Sequence, residues 1–135
     1  MDTSPFSVFV YGTLQPGGRY WPEFCEGKLE KTVAAKIRGE LYDLQLGYPG
    51  LVLSDVAWVQ GYVLNFKNEA AFLQLDDLEG YAPDRPYSDN EYIRKRVQAY
   101  SEEGEPLGEV WVYEITRHVL AECRATLVPE GNWPA

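Results

Sequence analysis

The 135-residue chain is poor in the residues from which metal sites and thiol catalytic sites are built. It contains one histidine, His118, and two cysteines, Cys25 and Cys123. A histidine-rich metal site is therefore excluded, and the cysteine spacing fits no metal-binding motif. The two cysteines can pair in principle, but we expect free thiols because nothing in the sequence points to an oxidising compartment. His118 stands alone near the tail, so we expect a surface residue there.

Long apolar runs and positive charges are also scarce. No apolar run exceeds four residues, whereas a membrane helix needs about 20. No basic residue precedes Arg19 and no apolar signal core is present, so we expect a cytoplasmic protein without a membrane partner. Lys and Arg number 12 against 21 Asp and Glu, a net charge of −9. This charge repels phosphate backbones, so we expect no nucleic-acid partner, and it favours a monomer.

Apolar and aromatic residues, by contrast, are sufficient for one core. They make up 45% and 14% of the chain, which excludes global disorder and suits a single domain over residues 1–135. The strand-like segments are Phe6–Tyr11, Thr32–Leu44 with a bulge or bend at Gly39, Leu51–Leu53, Val56–Phe66, Tyr92–Tyr100 and Glu109–Ile115. About six strands and one main helix predict an α+β fold, built on a small, mainly antiparallel β-barrel or strongly curved sheet.

The remaining segments give weaker signals. Trp21–Glu26 predicts a short helix with a proline in its first turn. The sequence Gly-Tyr-Pro-Gly within Gln45–Gly50 predicts a turn, which either shapes a pocket rim or only reverses the chain. Gly61 marks a close approach or a bend. The tail from Thr116 onward shows no clear helix or strand periodicity.

The main helix is predicted from Glu69 to about Glu79. Asn68 suits its N-cap and Gly80 suits the position just past its end. At 100° per residue, one arc of this helix is apolar. The residues of that arc are Ala71, Phe72, Leu75 and Leu78. Glu79 falls inside the arc, whereas Asp77 falls on the opposite, polar side and Asp76 at the flank.

An acidic residue on an apolar face has either a chemical or a structural reason. Desolvation raises the pKa of such a carboxyl group, toward the value that a general base near neutral pH needs. Glu79 is therefore a candidate catalytic residue. Two structural alternatives stay open: the last turn swings Glu79 into water, or Glu79 binds Arg94 or backbone amides.

The first strand ends in Tyr11-Gly12-Thr13-Leu14 and a glycine-rich loop follows. Backbone N–H groups that have no ladder partner can converge there on an anionic group such as a carboxylate. The loop is not a phosphate loop, because no Gly-Lys-Ser/Thr follows. An ordinary turn is the alternative.

Together these motifs resemble those of the γ-glutamylcyclotransferase-like, or AIG2-like, family. Tyr11-Gly12-Thr13-Leu14 is similar to the Tyr-Gly-Ser/Thr-Leu motif of that family, and Asp77-Leu78-Glu79-Gly80-Tyr81 is similar to its second motif, with Glu79 at the position of the family's Glu. The segment from Tyr92 to Val97, the strand Val110–Tyr113 and the ending Gly131-Asn132-Trp133 resemble its closing hairpin and C-terminus. The resemblance runs from about Phe6 to Trp133.

The resemblance implies a barrel of about six strands with flanking helices. It implies that Tyr11, Gly12, Thr13 and Leu14 bind a γ-glutamyl group and that Glu79 is the acid/base. A γ-glutamyl amine or γ-glutamyl amino acid then cyclises to 5-oxoproline and releases the amine, without metal or cofactor. The alternative is a non-catalytic protein that binds a small molecule or a partner on the same fold.

Three further residues are candidates for substrate binding. Tyr113 can donate its hydroxyl into the pocket, and Tyr81 stands in the second motif. Arg94 shares a strand face with Tyr92 and either pairs with Glu79 or lies on a solvated edge.

Overall fold

The computed structural model of the protein describes residues 6–82 and 84–134. The N-terminal segment 1–5, in which no signal pattern was found, lies outside the described residues. Within the described part, the helices are α1 (Trp21–Phe24), α2 (Glu69–Leu78) and α3 (Arg117–Glu122), and a 3₁₀ turn covers Tyr87–Asp89. The strands are β1 (Ser7–Val10), β2 (Leu29–Arg38), β3 (Glu40–Asp43), β4 (Pro49–Val52), β5 (Trp58–Phe66), β6 (Tyr92–Ser101), β7 (Pro106–Ile115) and β8 (Thr126–Val128).

Five of these strands close a barrel in the order β1-β5-β2-β6-β7. Every strand pair in it is antiparallel except β1 and β7, which run parallel where Val8 lies opposite Trp111. The other three described strands form a second sheet in the order β4-β3-β8. The predicted α+β fold with a mainly antiparallel barrel is therefore confirmed. The barrel itself has five strands rather than about six.

Strand β1 is buried on both faces, as its continuous apolar sequence predicts. Phe9 and Tyr11 belong to one hydrophobic cluster, and Val8 and Val10 belong to the other. The strand therefore lies between the two cores of the molecule. The loop that follows it begins in a buried and fixed position.

Gly61 on β5 allows β1 to approach closely. A Cβ atom at this position would lie 2.1 Å from the Val10 carbonyl oxygen, which no side chain can tolerate. The close approach expected at Gly61 is confirmed. It fixes the end of β1 against β5 just before the chain turns into the glycine-rich loop.

Two expectations for the segment between β2 and β4 are wrong. Thr32–Leu44 is not one strand, because β2 ends at Arg38 and β3 begins at Glu40 in the other sheet. Gly39 lies between the two strands and is closely packed, since a Cβ atom at this position would lie 3.0 Å from the Val52 carbonyl oxygen. The turn predicted up to Gly50 stops earlier, because β4 begins at Pro49. This strand is at the sheet edge, where a residue without an N–H is tolerated.

The helices differ from the predictions mainly in length. Helix α1 ends at Phe24, two residues before the expected end, and the tail forms α3 and β8, which the sequence did not indicate. Helix α2 has the predicted N-cap, since the Asn68 side chain accepts a hydrogen bond from Ala71 N at 2.9 Å. Among the described residues, no helix combines the length and the apolar character needed to cross a bilayer.

Candidate functional site

The C-terminus of α2 fixes the backbone of Glu79. The helix ends at Leu78 and Glu79 is its C-cap, one residue earlier than predicted. Gly80 adopts a positive φ of 64°, and the two N–H groups of Gly80 and Tyr81 bond to the carbonyls of Asp77 and Asp76 at 3.3 and 2.9 Å. This is a Schellman motif, and it holds the helix end in one conformation.

A cavity of about 130 Å³ lies between this helix end and the loop after β1. Its lining includes Glu79, Gly12, Thr13 and Leu14, which the sequence predicted to share one site. Tyr11 and Tyr113 line the same cavity, as do Tyr48 and Pro49 from the predicted rim segment. The remaining lining residues are Phe9, Val10, Tyr20, Leu78, Glu91 and Tyr92.

The loop after β1 leaves its first backbone N–H groups available. Gln15 N donates to Gly12 O at 3.1 Å, and Tyr20 N donates to Thr13 O at 2.9 Å. Within the part of the chain that the structure describes, the N–H groups of Gly12, Thr13 and Leu14 have no protein acceptor. Gly12 itself is packed tightly, because a Cβ there would lie 2.9 Å from the Pro49 ring. A ligand in the cavity can therefore bond to these amides.

The Glu79 carboxyl group faces the cavity and is only partly exposed. Burial, and next the negative charge of Glu91, raise its pKa from 4.5 to about 8. No residue in the described ranges donates a hydrogen bond to this carboxyl group, so its ionised form has no protein partner. Such a group exchanges a proton near neutral pH.

Four tyrosines of the cavity wall bond to other elements through their hydroxyl groups. Tyr11 donates to the Tyr113 carbonyl and Tyr92 donates to the Pro49 carbonyl, both at 2.6 Å. Tyr48 donates to Glu91 Oε2 at 2.5 Å. Burial is the largest cause that raises the pKa of each of these hydroxyls and of Tyr113, and neighbouring carboxyl groups raise each pKa further, so all four remain neutral.

Tyr113 does not donate into the cavity as the sequence suggested. Its hydroxyl donates to Asp76 Oδ1 at 2.6 Å, and Arg94 Nη1 forms an ion pair with Asp76 Oδ2 at 3.2 Å. Asp76 therefore links the last turn of α2 to β6 and β7. The alternative in which Arg94 binds Glu79 is wrong, because Arg94 pairs with the acid three residues earlier.

Two of the candidate substrate-binding residues lie outside the cavity lining. The Arg94 guanidinium is stacked against aromatic rings, with its carbon 4.6 Å from the Trp111 ring centroid and 5.7 Å from that of Tyr81. Arg94 therefore contacts Asp76 in the last turn of α2 and the neighbouring rings, and not the cavity. The structure brings together the other predicted site residues.

Glu91 is an acidic residue of the cavity that sequence reasoning missed. It precedes β6, its backbone N–H donates to Gly80 O at 3.1 Å, and its carboxyl group lies beside Glu79 in the lining. A single acidic residue before a strand belongs to no helix or strand periodicity, so the sequence does not mark it. Glu91 lies in the cavity because the start of β6 contacts the end of α2.

Metal-binding and thiol chemistry have no support in this region. No group of three or more His, Cys, Asp or Glu residues that could hold a metal ion occurs in residues 6–82 and 84–134. Cys25 and Cys123 are both free, and burial raises the pKa of the Cys25 thiol to about 12. That thiol is therefore protonated and a poor nucleophile.

Comparisons with known proteins place the chain among relatives of one family. Residues 8–135 match the family model described as "Gamma-glutamyl cyclotransferase, AIG2-like". A protein of Halalkalibacterium halodurans, named "Putative gamma-glutamylcyclotransferase BH1612", is 34% identical over 97 residues, which cover 72% of this chain and 79% of that protein.

Solved structures share the fold. The solution structure of At5g39720.1 from Arabidopsis thaliana has a TM-score of 0.64 and 27% identity, covering 82% of this chain and 68% of that one. The crystal structure of YkqA from Bacillus subtilis has a TM-score of 0.66 at 19% identity. The match covers 94% of this chain but only 39% of YkqA, so this chain spans less than half of that protein.

Proposed function

Because the chain belongs to the Gamma-glutamyl cyclotransferase, AIG2-like family, we propose that it converts a γ-glutamyl amine or γ-glutamyl amino acid into 5-oxoproline and the free amine. Glu79 is the general base and then the general acid. The observation that carries this proposal is the Glu79 carboxyl group, whose pKa lies near 8 in a cavity that it shares with the loop after β1.

The reaction supplies its own nucleophile, which explains how one carboxyl group suffices. The α-nitrogen of the substrate attacks the γ-carbonyl carbon, a C–N bond forms and the amide C–N bond to the amine breaks. Overall the α-ammonium loses two protons and the leaving amine gains two, so no external acid is consumed. Glu79 transfers a proton between the two nitrogens, a contribution of about 10²–10⁴ in rate.

The loop and the cavity wall hold the substrate for this attack. The free N–H groups of Gly12, Thr13 and Leu14 bind the α-carboxylate, and the neutral tyrosines exclude water around the bent chain. Folding the substrate into an attacking geometry is a large part of the catalysis of an intramolecular step. With a pKa near 8, about a tenth of Glu79 is ionised at pH 7. Activity is therefore expected to rise with pH through about 8.

A panel assay tests the proposal against the alternative of a non-catalytic binding protein. The wild-type chain is incubated with γ-glutamyl amines and γ-glutamyl amino acids, and 5-oxoproline is measured by mass spectrometry, with binding measured by calorimetry in parallel. Release of 5-oxoproline from any member supports the enzyme. Binding without release supports the alternative, and absence of both contradicts the proposed substrate class.

A further inference from the structure

The cavity that holds Glu79 has an unbalanced charge. Its described lining contains two carboxyl groups, Glu79 and Glu91, and no Lys, Arg or His side chain. Arg19, on the loop after β1, is exposed, stacks over Tyr20 with its guanidinium carbon 5.2 Å from the ring centroid, and is not part of this lining.

Glu91 is held in place with one oxygen unoccupied. Oε2 accepts the hydrogen bond from Tyr48, and the backbone N–H of Glu91 is tied to Gly80 O. The side chain packs against Gly80, since a Cβ built on that glycine would lie 3.2 Å from Glu91 Cβ. In the described chain, Oε1 has no donor. The carboxylate is thus oriented in advance and can accept a further hydrogen bond.

This carboxylate belongs to the partly exposed part of the cavity lining. Glu91 and Tyr48 are partly exposed, and Tyr48 directly follows the exposed residues Gln45, Leu46 and Gly47. Tyr11 and Tyr113, by contrast, are almost fully buried at the closed end. The rest of a substrate whose γ-glutamyl group is bound in this cavity must leave the buried end and pass the partly exposed lining, which includes Glu91 and Tyr48.

The γ-glutamyl group carries one ammonium, and the proposed reaction requires that ammonium at Glu79. A positive charge that the substrate brings to Glu91 must therefore belong to the amine that leaves. The net charge of −9 adds to this preference, because the field of an acidic protein attracts cations and repels anions.

On the basis of the proposed function, we propose that Glu91 is a specificity-determining residue that binds a positive charge on the amine half of the substrate. The preferred compounds are γ-glutamyl diamines, whose distal ammonium donates to Glu91 Oε1. Amine halves that end in a carboxylate are disfavoured. The leaving amine, and not only the γ-glutamyl group, is thereby selected by this cavity.

Three compounds of equal length test the preference. They are γ-glutamyl-diaminobutane, γ-glutamyl-pentylamine and γ-glutamyl-aminopentanoate, which end in an ammonium, a methyl group and a carboxylate. We expect kcat/KM to be at least about 10-fold higher for the cationic compound than for the neutral one, the effect of one hydrogen bond to a charged group. The anionic compound should be the poorest substrate.

Variants then assign the preference to Glu91. In Glu91→Gln the ratio of cationic to neutral kcat/KM should fall to roughly one, whereas Asp77→Asn, an exposed acid outside the lining, should keep the wild-type ratio. The loss of the Glu91 charge also lowers the pKa of Glu79, which changes the turnover of all three compounds. The variants are therefore compared by the ratio of cationic to neutral kcat/KM and not by kcat/KM itself. A ratio that stays high in Glu91→Gln overturns the assignment.

The failure of this inference is distinguishable from the failure of the proposed function. Calorimetry measures the affinity of the wild-type chain for the same three compounds whether or not it turns them over. Equal affinities, or tighter binding of the neutral compound, contradict the role of Glu91 even if 5-oxoproline is released. A cationic preference without 5-oxoproline supports the role of Glu91 while the cyclisation proposal fails.

Discussion

Replacement of Glu79 by glutamine should change the way in which pH affects the stability of the fold. In the folded chain, burial and Glu91 raise the pKa of this carboxyl group from 4.5 to about 8. The unfolded chain loses this proton near pH 4.5 while the folded chain retains it. The free energy of unfolding therefore falls as pH rises between these two values. The stabilisation is complete below about pH 4.5 and is lost by about pH 8.

The full difference in pKa corresponds to about 5 kcal/mol, an upper limit because Glu79 is partly solvated in the cavity. Between pH 5 and pH 7 the expected fall from this group alone is roughly 2–3 kcal/mol. For a chain of this length, that fall lowers the melting temperature by about 5–15 °C. Glutamine does not titrate, so in Glu79→Gln this contribution is absent.

Urea unfolding between about pH 5 and pH 8 measures the effect. Other acids contribute to both curves, so the quantity of interest is the difference between wild type and Glu79→Gln. Asp77→Asn is the matched control, since Asp77 is exposed and two residues away, and its curve should run parallel to that of wild type. Parallel curves for wild type and Glu79→Gln would refute the reasoning, because Glu79 would then titrate alike in the folded and unfolded chains.

Two further substitutions test how the fold positions the site. Asn68→Ala removes the N-cap bond to Ala71 and should destabilise the protein by about 1 kcal/mol in urea unfolding; an unchanged midpoint would mean that the cap contributes nothing. Gly61→Ala places a methyl group against the Val10 carbonyl, where the distance would be 2.1 Å, and should cost about 3 kcal/mol or more. A Gly61→Ala protein with the wild-type melting temperature would contradict the close approach of β1 and β5.

Elements with a strong local pattern could be predicted from the sequence. Side-chain periodicity within a short window predicts the doubly buried β1, the helix that Asn68 caps and the strands β6 and β7. Glu79 was identifiable for the same reason, because its position on a helical wheel conflicts with its charge. These features depend on neighbours in the chain, and the structure retains them.

The remaining features depend on residues far apart in the chain. Strand β8 has only three residues and pairs with β3, where Val128 lies opposite Leu41. The break at Gly39 separates two sheets, which no local pattern reveals. Glu91 enters the cavity because β6 begins beside the end of α2. Asp76 binds Arg94 and Tyr113 because these side chains of β6 and β7 reach the last turn of that helix. Local periodicity contains none of these long-range contacts.

The turnover of Glu79→Gln, measured as 5-oxoproline release at the pH of maximal wild-type activity, tests the catalytic role of Glu79 most directly. With the best compound of the panel, we expect a fall of about 10²-fold or more, with a melting temperature no lower than that of wild type and with Asp77→Asn close to wild type in both measurements. A Glu79→Gln protein that melts normally and retains near wild-type turnover would contradict the assignment of Glu79 as the proton carrier.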